Sequence, residues 1–182
     1  MEPTESAKVA QTKRLIATQF ELMLDRKCFK LISVNDICKR TMISRSTFYL
    51  HFKDKYELLK YCLDEELNRC GTAFNKDGKE DFIDFTLNSV LAKRNLYYNA
   101  FFREPTNELL NIIRGSFYRL FYGHLTGKQA EGVEIPEPVS IVAAFYSGAI
   151  LNSIEQWFHE ELTTTREELA DCQRKLMPKW ML

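Results

Sequence analysis

The chain has 182 residues, of which 45% are hydrophobic and 13% aromatic, enough for one compact body or two closely packed small ones and too apolar for a disordered chain. Its formal net charge is zero, which by itself argues against a general polyanion binder. The charge is uneven, however: up to Lys60 there are 12 Lys/Arg against 7 Asp/Glu, and beyond it 13 against 18, so one end is fit to meet phosphate and the other is not.

Seven glycines and five prolines are spread over the whole length, and apolar residues recur at spacings of three and four, which predicts an all-α fold. The first helix runs from about Glu5 to Asp25, with Ile16, Phe20, Met23 and Leu24 on one stripe. Lys27 to Ile32 is a break. Ser33 with Asp36 reads as a capping-box variant that opens a short helix ending near Arg40, with Val34, Ile37 and Cys38 turned inward. Ser44 caps a second short helix on which Phe48 and Phe52, at i and i+4, face the core. Asp54 with Glu57 starts a long helix toward Cys70 through Leu58, Leu59, Cys62 and Leu63, and the run from Asn75 to Lys79 reads as a loop near the domain boundary. Further helices are expected at about Asp81 to Lys93, Asn95 to Arg103, Asn107 to Leu125, Pro138 to Glu160 and Thr165 to Met177, with Gly127 to Pro136 as a second loop.

The five cysteines, Cys28, Cys38, Cys62, Cys70 and Cys172, include no C-x-x-C pair and read as small core residues of a reducing compartment. No basic stretch followed by an apolar run opens the chain. The most apolar stretch, Val139 to Leu151, is shorter than the roughly 20 residues of a bilayer span. The expectation is a cytoplasmic protein with no membrane partner.

Two short helices joined by a turn of three or four residues, the second with a free outer face, make a helix-turn-helix, and Asp36 to Phe52 has that arrangement. With Phe48 and Phe52 inward, Arg45, Ser46, Tyr49 and Leu50 point outward, with Thr47 and His51 at the flank. Arg takes guanine O6/N7 bidentately, Ser and Thr hydroxyls bond bases or backbone, and Leu50 suits a thymine methyl. Tyr49 and His51 suit phosphate oxygens, as does Lys55 at the start of the next helix. Ser33 and Ser44 serve as helix caps. Any amphipathic surface helix can carry such residues outward; the ordered series of caps, turn and buried rings separates this one from an ordinary solvated face.

Residues from about Thr12 to Leu59 resemble the DNA-binding domain of the TetR family of bacterial transcription regulators, through "TKRLIATQFELM", "ISVNDICKRTMISRSTFYLHF" and "KDKYELL". The resemblance implies a three-helix DNA-binding domain over 1–60 and a helical effector-binding and dimerisation domain over 61–182. It further implies a homodimer on a near-palindromic double-stranded operator, with the helix from Ser44 in the major groove and Ser33, Tyr49, His51 and Lys55 on phosphates. One departure is Met42, where the family commonly has glycine; a left-handed backbone there costs a non-glycine residue roughly 1 kcal/mol, so a slightly altered turn is expected.

Beyond Asp81 the chain is crowded with aromatics, which suit core, subunit interface or ligand cavity. The resemblance implies that some line an effector site, and Tyr97, Phe101, Phe117, Tyr118, Phe121 and Tyr146 are the candidates. Val142, Phe145, Ala149, Ile150, Ser153 and Trp157, with Leu169, Cys172 and Leu176 of the last helix, form a stripe for a two-fold helical interface, or for packing within one subunit. The tail "FYSGAILNSIEQWFHEELTTTREELADCQRKLM" together with "FYLHFKDKYELL" is similar to a TetR-like branch that includes activators of dihydroxyacetone kinase operons, some of which act with a protein partner.

No G-x-S-x-G, phosphate-cradling glycine loop or H-E-x-x-H occurs, so neither an enzyme nor a cofactor is expected. Glu155 and His159, at i and i+4, could make a metal site with His124 if their helices converged, though an ordinary surface pair is the simpler reading. The expectation is a homodimeric repressor released by a small-molecule effector, the alternative being a helical module acting through a protein partner. The sign of control is not legible in the residues.

Overall fold

The computed structural model describes residues 7–77, 81–161 and 163–181, with side chains in the first span through Leu67. Among these the fold is helical without strands. The elements are α1 (Ala7–Leu24), a 3-10 turn (Phe29–Leu31), α2 (Val34–Thr41), α3 (Arg45–His51), α4 (Lys55–Asp77), α5 (Phe82–Ala92), α6 (Arg94–Tyr97) continuing as a π-helical turn (Tyr98–Phe102), α7 (Asn107–Ala130), α8 (Val139–His159) and α9 (Arg166–Leu176).

The N-terminal helices close around one core. Ile16, Phe20 and Leu24 of α1, Ile37 of α2, Phe48 of α3 and Leu58 and Leu59 of α4 are all fully enclosed, each contributing on the order of 2 kcal/mol by leaving water. α4 then leaves this core and packs along α7, where the Asp64 carboxylate accepts from Ser116 Oγ at 3.1 Å and from Arg119. The body is completed by α7 against α8 and by α5 against α9. Lys93 and Asn99 are among the residues that bind the N-terminal helices to it, with Lys30 on Glu104 at 3.3 Å at the surface. Lys93 pairs with Glu21 of α1 at 3.1 Å and Glu66 of α4 at 2.7 Å; Asn99, buried in the π-helical turn, donates to the Leu24 carbonyl at the end of α1 at 2.9 Å.

Several boundaries differ from the sequence reading. α4 continues through Asn75, Lys76 and Asp77, which read as loop, while Gly78 and Lys79 lie outside the described residues, as do Glu5 and the Cys70 side chain. α7 does not stop at Leu125 but passes through Gly127 to Ala130. The stop comes at Gly132, the glycine here with a left-handed φ, at 90°, after which Val133 N–H returns to the Lys128 carbonyl at 3.0 Å, as helix C-caps with glycine do. Cys28, Cys38 and Cys62 are buried thiols, whereas Cys172 is exposed because it lies on the outer side of α9. No described helix is long and apolar enough to cross a membrane.

Candidate nucleic-acid interface

α2 begins at a reciprocal capping box. Asp36 N–H donates to Ser33 Oγ at 3.2 Å and Ser33 N–H donates to Asp36 Oδ2 at 3.0 Å, which satisfies two of the backbone donors orphaned at a helix start. Hydrogen bonding by Ser33 holds the Asp36 carboxyl below its ordinary value. Arg40 Nε donates to Gln19 Oε1 at 3.0 Å and ties α2 to α1. The turn that follows keeps the left-handed backbone: Met42 sits at φ 55°, ψ 36° with its side chain 92% exposed. The expected altered turn is therefore absent. Exposure leaves the thioether free of neighbours but does not relieve the approach of Cβ to the residue's own carbonyl, so a strain of roughly 1 kcal/mol remains and is offset by the core on either side.

α3 is pinned from beneath. Phe48 is fully buried, and Phe52, the residue that caps the helix, lies 5.9 Å from it ring to ring and 5.4 Å from Tyr61. The opposite side is open, with Leu50 82% exposed and Arg45, Ser46 and Tyr49 also in solvent. At the start of α3, Thr47 N–H donates to Ser44 Oγ at 3.0 Å, and the hydroxyls of Ser46 and Thr47 lie 2.7 and 2.8 Å from the same oxygen. The Arg45 guanidinium leans along its own helix to the Tyr49 hydroxyl at 3.3 Å and over its ring at 5.8 Å. These contacts arrange a cation, three hydroxyls, a phenol and an apolar tip on one face. His51, half-buried, stands at the end of the same helix.

α4 begins with Asp54 Oδ1 accepting from the Tyr56 and Glu57 amides at 2.9 and 2.8 Å, while Glu57 reaches back to the Lys53 amide. Lys55 does not point away from the protein. Its ammonium donates to the carbonyls of Phe29 and Ile32 at 2.9 and 2.8 Å and sits 4.3 Å from the centre of the Phe29 ring. Burial pushes its pKa down. Lys53, which the sequence reading passed over, is exposed on the turn before α4; a lone lysine outside any helix pattern gave no signal.

Residues 77–179, more than half of the chain, match a family described as transcriptional regulator C-terminal region, and residues 24–62 match bacterial regulatory proteins of the tetR family. The chain belongs to the TetR family. That family is one of transcription regulators, not enzymes. An HTH-type transcriptional regulator of Staphylococcus aureus is 29% identical over 107 residues, which cover 53% of this chain and 56% of that protein; the match spans about half of the relative's length. Among solved structures, a fatty acid degradation regulator from Bacillus halodurans aligns at a TM-score of 0.60 and 13% identity over 95% of each chain. A transcriptional regulator from Aquifex aeolicus aligns at 0.55 and 20% identity, covering 90% of this chain and 96% of that one. NalD, the secondary repressor of a multidrug efflux pump in Pseudomonas aeruginosa, aligns at 0.54 and 18% identity over 92% of this chain and 95% of its own. At these identities the structural likeness establishes the fold. None of these relatives is named as a dihydroxyacetone kinase regulator.

In this TetR-family body most of the aromatic effector candidates have no free surface. Tyr97, Phe101, Phe117 and Phe121 are packed to 2% exposure or less and fill the core between helices. Tyr146 is half-buried against the Trp180 ring at 5.9 Å. Tyr118 differs: it lines a half-open cavity of about 250 Å³ between α7 and α8, together with Arg114, Ala144, Ser147, Gly148, Leu151 and Asn152. Arg114 and Asn152 carried no sequence signal, because only the crossing of two helices brings them together.

The proposed dimer stripe divides in the same way. Ile150, Trp157 and Leu169 are buried within the subunit, since they lie on the inner sides of α8 and α9, and Ser153 Oγ accepts from Gln173 at 2.8 Å. Val142 is half-buried. Phe145, Ala149, Cys172 and Leu176 are exposed, Phe145 at 69% and Leu176 at 77%. His159 lies 3.8 Å from Glu155 on α8, but His124 is elsewhere, stacked on Phe82 at 4.3 Å with Nε2 3.1 Å from the Met181 carbonyl; the three do not converge.

Proposed function

We propose that this chain is a sequence-specific DNA-binding transcription regulator of the cytoplasm, working as a homodimer and released from a near-palindromic operator by a small-molecule effector, as a repressor. The observation that carries the reading is α3, anchored by Phe48 and Phe52 so that Arg45, Ser46, Tyr49 and Leu50 stand clear of the protein. A helix so presented enters the major groove by its N-terminal half. Arg45 then reads guanine, Ser46 and Leu50 read neighbouring base edges, and Ser33, Ser44, Thr47, Tyr49 and His51 meet backbone oxygens. The excess of basic residues up to Lys60 supports this assignment of the 1–60 region, leaving 61–182 for effector binding and dimerisation.

Pairing through α8 is supported by an outer face carrying Ile141, Phe145 and Ala149 and by the lack of any Asp, Glu, Lys or Arg from Val139 to Ile154. Two copies related by a two-fold axis present two copies of α3, which fit successive grooves only when about 34–36 Å apart. The effector reading is supported by the cavity at Arg114, Tyr118 and Asn152 and by the Lys93 and Asn99 contacts that connect the body to α1. A shift of the body that changed the α3 spacing would weaken operator binding without altering any DNA contact chemically.

An electrophoretic shift with DNA upstream of the protein's own gene, run over a salt series, tests the reading. A discrete complex that survives unrelated competitor DNA and weakens steeply with salt is expected. Equal competition by every duplex, or no complex at low salt, would remove it.

A further inference from the structure

We propose that the half-open cavity between α7 and α8 binds a small organic monoanion, a carboxylate with a short apolar body, held by Arg114. The proposal deepens the effector reading and rests on it only for its consequence at the operator. Two helical stripes make the cavity. Arg114 and Tyr118 stand four residues apart on α7, and Ala144, Gly148 and Asn152 stand at the same interval on α8, so each set shares one side of its helix. Because residues 144 and 148 are small, the two helices leave about 250 Å³ between them at this point. The place a Cβ would take at Gly148 has no packing neighbour within 4 Å.

The polar groups around that space are unpaired. Among the described residues the Arg114 guanidinium, the Tyr118 hydroxyl and the Asn152 amide have no hydrogen-bond or ion-pair partner, whereas the Ser147 hydroxyl donates to the Ala144 carbonyl at 3.3 Å. No carboxylate lines the cavity; Glu155, one turn further along α8, lies 3.8 Å from His159. A guanidinium offers parallel donors that match the two oxygens of a carboxylate, and a phenol and an amide add further donors. One cation without an acid therefore selects a single negative charge. Ala144, Leu151 and the Tyr118 ring, which stacks on Tyr122 at 5.8 Å, supply an apolar wall. At roughly 30 Å³ for each water, a volume of about 250 Å³ holds about eight waters, which limits the occupant to on the order of ten non-hydrogen atoms. Ala144 and Gly148 directly precede Phe145 and Ala149, the residues offered to the second copy, so an occupant bears on α8 beside the subunit contact.

Isothermal titration calorimetry of the full chain without DNA tests this, with benzoate, acetate, benzamide and benzylamine at up to about 10 mM. Wild type, Arg114→Met and Gly148→Leu are compared, with circular dichroism and sedimentation in parallel. Benzoate is expected to bind saturably, acetate more weakly for want of an apolar body, and benzamide and benzylamine at least about tenfold more weakly. Arg114→Met should lose about tenfold in benzoate affinity with its helix content unchanged, and Gly148→Leu should bind no benzoate because its side chain fills the cavity. Absence of saturable benzoate binding, equal binding of benzamide or benzylamine, or an Arg114→Met protein that binds benzoate as the wild type does would overturn the proposal. So would a wild type that binds no benzoate and is dimeric where Gly148→Leu is monomeric, because a side chain of the second copy then occupies the cavity. Should a variant fail to fold, benzoate against its neutral and cationic analogues on the wild type still decides. Repeating the electrophoretic shift with benzoate separates the two readings: benzoate held through Arg114 that leaves the DNA complex intact removes the effector reading and keeps the site, whereas release of DNA by a compound of another class, with no benzoate bound, removes the site and keeps the effector reading.

Discussion

In the N-terminal helices each helix start is set by a local bond, Ser33 to Asp36, Ser44 to Thr47 and Asp54 to Glu57, each spanning three residues, and the longer ties, Arg40 to Gln19 and Lys55 to Phe29 and Ile32, span 21 to 26. In the body, the bonds that hold helices in place span 52 residues from Ser116 to Asp64, 78 from Arg166 to Asn88 and 93 from Arg174 to Asp81. The start of α3 is set within its own first turn, by Ser44 and Thr47, and its anchor is the small core around Phe48. The body is fixed by cross-links between distant helices, so a change at one of them can reposition a whole element. The proposed release by an effector calls for a body whose helices can shift relative to α3.

The largest test of this contrast is Phe48→Ala. Removing a fully buried ring from the small core should cost about 3–5 kcal/mol and, by urea denaturation, unfold the N-terminal helices ahead of the body; a single unsplit transition would show that the two regions are not separable. Asn99→Ala comes next, because it leaves the buried Leu24 carbonyl without its donor. A loss of about 1–2 kcal/mol is expected, with effector-type coupling between body and α1 weakened, as read by amide exchange at the end of α1.

Arg174→Met should cost about 1 kcal/mol, since its pairs with Asp81 and Asp84 are partly exposed and screened. Burial raises the Asp81 carboxyl, but the Arg174 guanidinium and the Asp84 and Ile83 backbone amides together outweigh it and hold the group below its ordinary value. A depressed carboxyl contributes stability that is fully present above its unfolded value near 4 and is lost as pH falls through the folded value. The wild type should therefore lose stability below about pH 4 more steeply than Arg174→Met, measured by thermal melting over pH 3 to 5. Smallest is Met42→Gly: relief of the left-handed strain less the added freedom of the unfolded chain should leave a gain of about 0.5 kcal/mol.

The same contrast governs what was legible in the residues. Ser33, Ser44 and Asp54 could be recognised as caps because a hydroxyl or carboxylate before an apolar run suits a helix start, and Phe48 and Phe52 followed from their four-residue spacing. The left-handed turn at Met42 is closed by the Met42 and Ile43 amides on the Cys38 and Lys39 carbonyls, a closure that the residue at its apex does not reveal. In the body, Gly127 read as a stop although helix packing carries α7 past it. Phe101, Phe117 and Phe121 could not be told from cavity walls, nor Ile150, Trp157 and Leu169 from interface residues, because burial there depends on which distant helix lies opposite. Arg114 and Asn152 were invisible for the same reason.

The central claim is that the outward face of α3 reads base sequence. The most direct measurement is the ratio of affinities for the operator and for an operator changed at one guanine, in the wild type and in Arg45→Ala, by fluorescence anisotropy at fixed salt. The account predicts that the variant loses about tenfold or more of that discrimination at one base pair while keeping its weak binding to unrelated DNA. An Arg45→Ala protein that weakens on every duplex by the same factor, or that discriminates as well as the wild type, would contradict it.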